Sequence, residues 1–417
     1  MPRTSCGSRF TTAGSYRWSG RAPLDSPSAG PSHIAVPSLR RTGLVAALVT
    51  VPFALAYRFA LLYRIRAGFP IPRPPQLSPA DMGLPFEPVD VHSGDLTLPG
   101  WFIPARDGSP GPGVALVHGW ESARDRLLPM AVFLHAAGFH CLAIDVRGHG
   151  ANAAETLPIS AGEFGSDALA AFRALDARPE VTVGAVLGHS MGAIGAILAA
   201  AEEPRIAAVV STSAPADPWR LTRQTFRLAR LPFPDAIAWP LAWLTTRVYL
   251  RPRGHRMTRI SASEALRTLD RPILLVHGSA DPVVPIAHLE RLAAVARRAG
   301  RSVEMLTIEG GQHSWLYEFP AYRRAVAEFL ARVLGGPFEP AEAGALAAAA
   351  ETHRLPDTPR PQTAVQREPG GLRSLVALAV PFRRAGQGIG DIEDPDGDRQ
   401  PPPAPVRTDS DAAGIPS

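Results

Sequence analysis

The chain has 417 residues, with 43 basic against 38 acidic side chains and a formal charge of +5. Lysine is absent, so every basic residue is arginine. This small excess does not mark a nucleic-acid-binding chain, and neither zinc-ligand spacing nor a phosphate-cradling loop accompanies it. The two cysteines, Cys6 and Cys141, imply no disulfide framework and leave the redox compartment open.

At this length one large domain with additional segments is expected. Residues 1–42 are rich in serine, proline, glycine and arginine without apolar periodicity, and are expected to be disordered. Residues 43–66 follow as a candidate transmembrane helix, since the twenty nearly continuous apolar positions of 44–63 would span about 30 Å as a helix. Arg58 opposes insertion by roughly 2.5–3.5 kcal/mol, against about 3–6 kcal/mol from the leucines, valines and phenylalanines, and it is near enough to Tyr63 to snorkel. Two alternatives stay open: a signal cleaved near Ala54-Leu55-Ala56, and a soluble helix packed on the main domain. The arginines of the N-terminal tail and those just after the span (Arg64, Arg66, Arg73) favour opposite orientations, with a slight lean to an extracytoplasmic domain.

Residues 67–85 form a proline-rich linker, expected to be an extended, semi-rigid spacer. The main domain is assigned to 86–335. It opens with a hairpin turned at Gly94-Asp95, in which Pro99 demands an edge position. An apolar strand at Val114-Ala115-Leu116-Val117 follows, then a helix over 127–137, a strand over 140–145 containing Cys141, and a helix over 165–178. Strands alternating with helices in this way imply a mostly parallel sheet covered by helices on both faces.

The chemistry is concentrated in 181–203. An apolar, valine-rich strand meets a helix of small residues through Gly188-His189-Ser190-Met191-Gly192. A serine on such a turn is held in a strained conformation, and glycines two residues to either side leave room for it. A serine hydroxyl is a weak nucleophile, so a histidine base and an orienting acid must follow, each after a later strand. The strand 272–278 leads to Asp281, and the strand 303–308 leads to His313.

With these motifs the chain resembles the α/β-hydrolase superfamily over about 86–334, similar to esterases, lipases and serine aminopeptidases. The resemblance implies an α/β-hydrolase fold with Ser190 as nucleophile, Asp281 as acid and His313 as base. It places the oxyanion donors at the backbone N–H groups of Met191 and of Trp120, the residue after His118-Gly119. The Trp120 indole then either lines the pocket mouth or simply packs. The turn Arg147-Gly148-His149-Gly150 is structural in the family, and His149 and His189 are assigned packing or hydrogen-bonding roles.

In this superfamily a cap over the pocket is inserted after the strand 206–211, here over about 214–265. Two helices are expected, over 217–231 and 235–250, with Trp239, Trp243, Leu244 and Val248 near one face of the second. Nine arginines against two acids between Asp217 and Arg259 suit either a solvated face or an anionic membrane surface. Residues 336–417 are expected to be a mostly disordered tail, with a short amphipathic helix over 373–384 and an acidic run (Asp391, Glu393, Asp394, Asp396, Asp398) lacking the full calcium-loop pattern.

The expected activity is hydrolysis of an acyl bond, a carboxylic ester above all, on a small-molecule or lipid-like substrate, without metal or organic cofactor. Acyl transfer, thioester or peptide cleavage, and a non-catalytic binding role on the same fold remain alternatives. Membrane association is expected; oligomeric state is not legible.

Overall fold

The computed structural model describes residues 39–352. Cys6, the acidic run and the helix expected over 373–384 lie outside the described residues. Strands β1 (Glu87–Ser93), β2 (Leu96–Ile103), β3 (Gly111–Val117), β4 (His140–Ile144), β5 (Val181–His189), β6 (Ile206–Thr212), β7 (Ile273–Gly278) and β8 (Val303–Ile308) form one sheet in the order β1-β2-β4-β3-β5-β6-β7-β8. The first two run antiparallel to their neighbours and the rest are parallel.

Along β3, Val114 and Leu116 point to one face of the sheet and Ala115 and Val117 to the other, as the two-residue period of a strand requires. Both faces are therefore apolar and both are covered. Helices α2 (Leu128–Ala136) and α9 (Pro320–Leu334) bury Phe133, Leu134, Tyr322 and Phe329 on the first. Helices α3 (Ala161–Asp176), α4 (Met191–Glu202) and α8 (Ala287–Arg298) bury Phe164, Phe172, Ile197 and Leu292 on the second. Fully burying each such side chain contributes about 1.5–3 kcal/mol. Because β4 lies to one side of β3 and β5 to the other, the winding reverses there, leaving a crevice at the carboxyl ends of β3 and β5.

Pro99 is tolerated for a reason other than an edge position. Strand β2 lies between β1 and β4, but its ladder with β4 begins only at Gly100; at Pro99 that edge is met by the Asp145 N–H, which donates to the Pro99 carbonyl at 3.0 Å, so no ladder bond needs the missing N–H. Helix α3 starts at Ala161, earlier than periodicity suggests. Ser160 and Glu163 make a capping box in which the Glu163 carboxylate accepts from the Ser160 N–H at 2.7 Å, typically a contribution of about 1 kcal/mol.

The proline-rich stretch is a strap on the domain rather than a free spacer. Its amides donate to fixed carboxylates, Ile71 N–H to Glu121 at 3.3 Å and Gln76 N–H to Asp125 at 2.9 Å, while the Gly68 carbonyl accepts from Ile159 N–H at 2.8 Å. The domain also continues beyond residue 335. Helix α10 (Pro340–Ala349) buries Ala343 and Ala347 in the core beside α9, and the Arg323 guanidinium donates to the terminal carbonyls Ala347 and Ala348. The alanine richness that resembles low complexity is here a close-packing helical face, since alanine is the strongest helix former.

The chain divides into two units within α1 (Leu39–Ala67), one up to Val51 and one from Pro52. In the second unit Phe53, Leu55 and Tyr57 are exposed, whereas Ala60 and Tyr63 are buried. Phe59 sets its ring edge-on to Phe226 and Phe233, at 5.5 and 5.8 Å. Phe226 belongs to α5 (Pro218–Leu228), which with α6 (Asp235–Leu250) forms the cap. The buried residues of α6 are Ala238, Ala242, Thr245, Thr246, Val248 and Leu250; small residues let α5 approach, and of the expected face Val248 is buried while Trp243 stays 46% exposed. Several cap arginines brace the fold: Arg220 pairs with Asp217 at 3.0 Å, Arg223 with Asp235, and Arg253 with Glu155 at 2.8 Å.

Candidate active site

At the end of β5 the chain turns into α4 through Ser190, whose φ of +54° and ψ of −115° lie outside the ordinary regions for an L-residue. A Cβ on Gly188 would fall 2.1 Å from the Gly192 carbonyl oxygen, and one on Gly192 would fall 2.3 Å from that of Val117. Only glycine fits at either place, so the spacing around Ser190 is dictated by backbone contact.

The Ser190 hydroxyl donates to His313 Nε2 at 3.0 Å, and His313 Nδ1–H donates to Asp281 Oδ2 at 2.8 Å. Asp281 follows β7 and His313 follows β8, so residues 123 positions apart meet at one end of the sheet. Oδ1 of Asp281 accepts the N–H groups of Val283 and Val284 at 2.9 and 2.8 Å. Burial opposes the charged form of Asp281, but the attraction of His313 and the His277 contact outweigh it and hold the carboxyl below its usual range.

The loop after β3 packs directly against the elbow, with a Cβ on Gly119 reaching 3.2 Å from the Ser190 Cβ. Here His118 fixes a peptide plane. Its Nε2 accepts from Val146 N–H at 3.0 Å, so Nδ1 carries the proton and donates to the Gly119 carbonyl at 2.7 Å. With that carbonyl tied back, the Trp120 N–H on the opposite edge of the same trans peptide points the other way. The Met191 N–H is among the first amides of α4, which have no intrahelical acceptor. The Trp120 indole lines the cavity above Ser190 and sets its edge against His149 at 5.2 Å, doing both things the sequence left open.

Replacing His118 by alanine is expected to lower kcat by about tenfold to a hundredfold with a smaller change in KM, because the Trp120 N–H, the oxyanion donor the resemblance implies, loses its orientation while the Ser190–His313–Asp281 hydrogen bonds stay intact. Steady-state kinetics would check this. Loss in KM alone would make His118 merely a packing residue.

Sequence reasoning overlooked His277 and Tyr63, and assigned His189 a packing or hydrogen-bonding role without its partner. His277 donates to the Val284 carbonyl at 2.6 Å and lies 3.2 Å from Asp281, fixing the turn that carries the acid. His189 Nε2–H donates to the His313 backbone carbonyl at 2.8 Å, tying the base's loop to the elbow. Tyr63 of α1 lines the cavity. For the first, and for His118, a signal existed: each is a His-Gly pair at the carboxyl end of an apolar strand. Cys141 is buried in β4 and its thiol is pushed well above its usual range by desolvation, so it offers no competing nucleophile.

A cavity of about 280 Å³ opens over Ser190 and His313 beneath the cap. Its walls include Ile194, Leu221, Leu228, Leu250 and Ile260, with Arg73 from the strap and Glu121 and Arg126 from the segment after β3. No group of His, Cys, Asp and Glu suited to a metal ion occurs among the described residues.

Residues 114–332 match the alpha/beta hydrolase family. The chain belongs to that family. An uncharacterized protein of Mycobacterium tuberculosis (strain CDC 1551) is 30% identical over 272 residues, covering 64% of this chain and 85% of the relative. The human protein ABHD12B is 26% identical over 249 residues, covering 56% of this chain and 64% of that one. Among solved structures, a Pyrococcus furiosus esterase superposes with a TM-score of 0.52 at 23% identity, covering 64% of this chain and 98% of the esterase. This α/β-hydrolase thus shares its fold with an enzyme of known structure, and hydrolase chemistry follows from its family.

Among the described residues of this α/β-hydrolase, one helix, Thr42–Ala67, is long and apolar enough to cross a membrane. The stability of the fold has a readable pH dependence. Burial pushes His149 down to about 3 and His189 and His288 to about 4, and lowers His118 as well. A histidine with a lowered folded pKa is protonated first in the unfolded chain, so acidification favours unfolding. The stabilisation is complete above about pH 6.5 and is lost as pH falls towards the folded values. Urea midpoints should therefore drop between about pH 7 and pH 5, with His149 alone accounting for about 2 kcal/mol. A flat profile would contradict burial of these rings. Asp281 has the same sign of dependence in a lower window, weakening the fold only as pH falls below the usual carboxylate range.

Proposed function

We propose that the protein is a serine hydrolase that cleaves a carboxylic ester with a lipid-like acyl chain, through an acyl-enzyme on Ser190. What carries the proposal is the continuous chain of hydrogen bonds from Ser190 to His313 to Asp281 at the floor of a largely apolar cavity.

In the first half-reaction Ser190 Oγ attacks the acyl carbonyl as its proton passes to His313 Nε2. Asp281 remains ionised and stabilises the imidazolium. The Trp120 and Met191 N–H groups receive the tetrahedral oxyanion, the term usually largest in such reactions. Collapse expels the alcohol, protonated by His313. Water then attacks the acyl-enzyme with His313 as base, releasing the carboxylic acid and free Ser190.

The same proposal anchors the enzyme in a membrane through α1. On the cap, Ile237 (55% exposed) and Trp243 (46% exposed) stand out from the surface, with the Arg247 guanidinium 4.8 Å from the Trp243 ring centre. Tryptophan and arginine together suit the interface between headgroups and hydrocarbon.

The test is labelling by a fluorophosphonate probe, followed by turnover of an ester, a thioester and an anilide sharing one acyl group. Labelling with preferential ester cleavage is expected. Labelling with faster anilide cleavage would make the enzyme a peptidase-type amidohydrolase, and no labelling of folded protein would end the proposal.

A further inference from the structure

Tyr63 and Ala67 of the apolar α1 helix line the cavity that holds Ser190. Tyr63 is only 6% exposed, and its ring meets Phe226 edge-on at 5.7 Å and lies tilted against Tyr249 at 6.3 Å. Its hydroxyl is committed. Thr225 Oγ1 donates to the Thr222 carbonyl at 2.8 Å and is therefore the acceptor for Tyr63 O–H, 2.7 Å away. With the polar tip satisfied by the cap, the remainder of the side chain is an apolar plate on the cavity wall.

The lining divides by chemistry. Arg73 and Arg126 come from the strap and the segment after the oxyanion loop, with Arg73 3.9 Å from the Glu121 carboxylate. The part contributed by α1 and the cap has no acidic or basic side chain: it consists of Tyr63, Ala67, Leu221, Thr225, Leu228 and neighbouring α6 residues. An alkyl chain attached to a carbonyl at Ser190 loses most contact with water by lying along that second part.

We infer that Tyr63 is a specificity-determining residue, closing the acyl-chain end of the cavity and setting the longest chain the enzyme accepts. The inference rests on the proposed ester hydrolysis. It gives α1 a second role beyond attachment, because the helix that would lie among lipids also forms the wall their acyl chains meet.

The experiment uses the full chain in detergent or vesicles with acetate, butyrate, octanoate and palmitate esters of one alcohol. Tyr63→Ala removes the plate, and Tyr63→Phe keeps it while releasing only the Thr225 hydrogen bond. For Tyr63→Ala the ratio of palmitate to acetate kcat/KM should rise about tenfold or more, as methylenes in an apolar pocket discriminate on that scale, with acetate turnover nearly unchanged. Tyr63→Phe should retain the wild-type profile. If Tyr63→Ala does not fold, Tyr63→Leu keeps an apolar side chain with a smaller reach and should shift the ratio in the same direction.

A folded variant whose four esters all change in parallel, or whose profile is unaltered, overturns the assignment. Fluorophosphonate labelling separates the two levels. Wild-type protein that does not label removes the ester hydrolase itself, whereas labelled variants with an unchanged chain-length profile remove only the role of Tyr63.

Discussion

Ser190→Ala is expected to lower ester turnover by roughly 10⁴–10⁶ and to abolish fluorophosphonate labelling, with little change in thermal midpoint. The size follows from how the three side chains act. Without Oγ there is no acyl-enzyme, so His313 and Asp281 have no nucleophile to activate, and removing either of them as well should add little. Some rate above the uncatalysed reaction should survive, since the Trp120 and Met191 amides would still bind a developing oxyanion. Stability should hold because the residue at 190 is partly exposed and contributes little packing, although alanine must accept the same φ of +54°. Turnover within tenfold of wild type would remove Ser190 from the mechanism.

The second large effect concerns α1, where two truncations should diverge. Deleting residues 1–56 removes most of the apolar run but keeps Phe59, Ala60 and Tyr63, which pack against the cap and the cavity. That variant should leave the membrane fraction for the soluble one and retain labelling. Deleting residues 1–66 removes the packed turns as well. It exposes Phe226 and Phe233, leaves Thr225 without its tyrosine partner and opens the cavity wall. Losing the buried Tyr63 costs on the order of 3–5 kcal/mol, and losing the partly buried Phe59 adds to it, enough to unfold a marginally stable domain. Fractionation with a thermal melt distinguishes the cases. Full-length protein found in the soluble fraction would rule out the anchor, and equal stability of both truncations would show that α1 makes no contribution to the fold.

The arginine-rich cap illustrates where pattern and structure part. A run of nine arginines suggests a uniformly solvated or lipid-facing surface, yet Arg220, Arg223 and Arg253 are held by Asp217, Asp235 and Glu155. The acids are few, but they are placed where the chain returns, and no one-dimensional count reveals that. Helix α6 shows the same limit. Its periodicity puts Trp239, Trp243, Leu244 and Val248 near one face, but close approach of α5 buries alanines and threonines, and of that face Val248 is buried while Trp243 is exposed.

What the sequence by itself determined was everything governed by local contact. The Gly-His-Ser-Met-Gly turn is readable because backbone atoms come within about two ångströms of any added Cβ. Strand periodicity marks a sheet covered on both faces, and the order of serine, acid and histidine follows from the strands they terminate. Only the tertiary structure decided the rest: that His118 orients the Trp120 peptide, that the proline-rich strap is tied to Glu121 and Asp125, that an alanine-rich segment after residue 335 docks as α10, and that Tyr63 reaches the cavity of Ser190. Each of these is a contact between segments far apart in the chain. Its partner is chosen by how the sheet and cap bring surfaces together, and a sequence pattern records the chemistry of a residue but not the address of what it will touch.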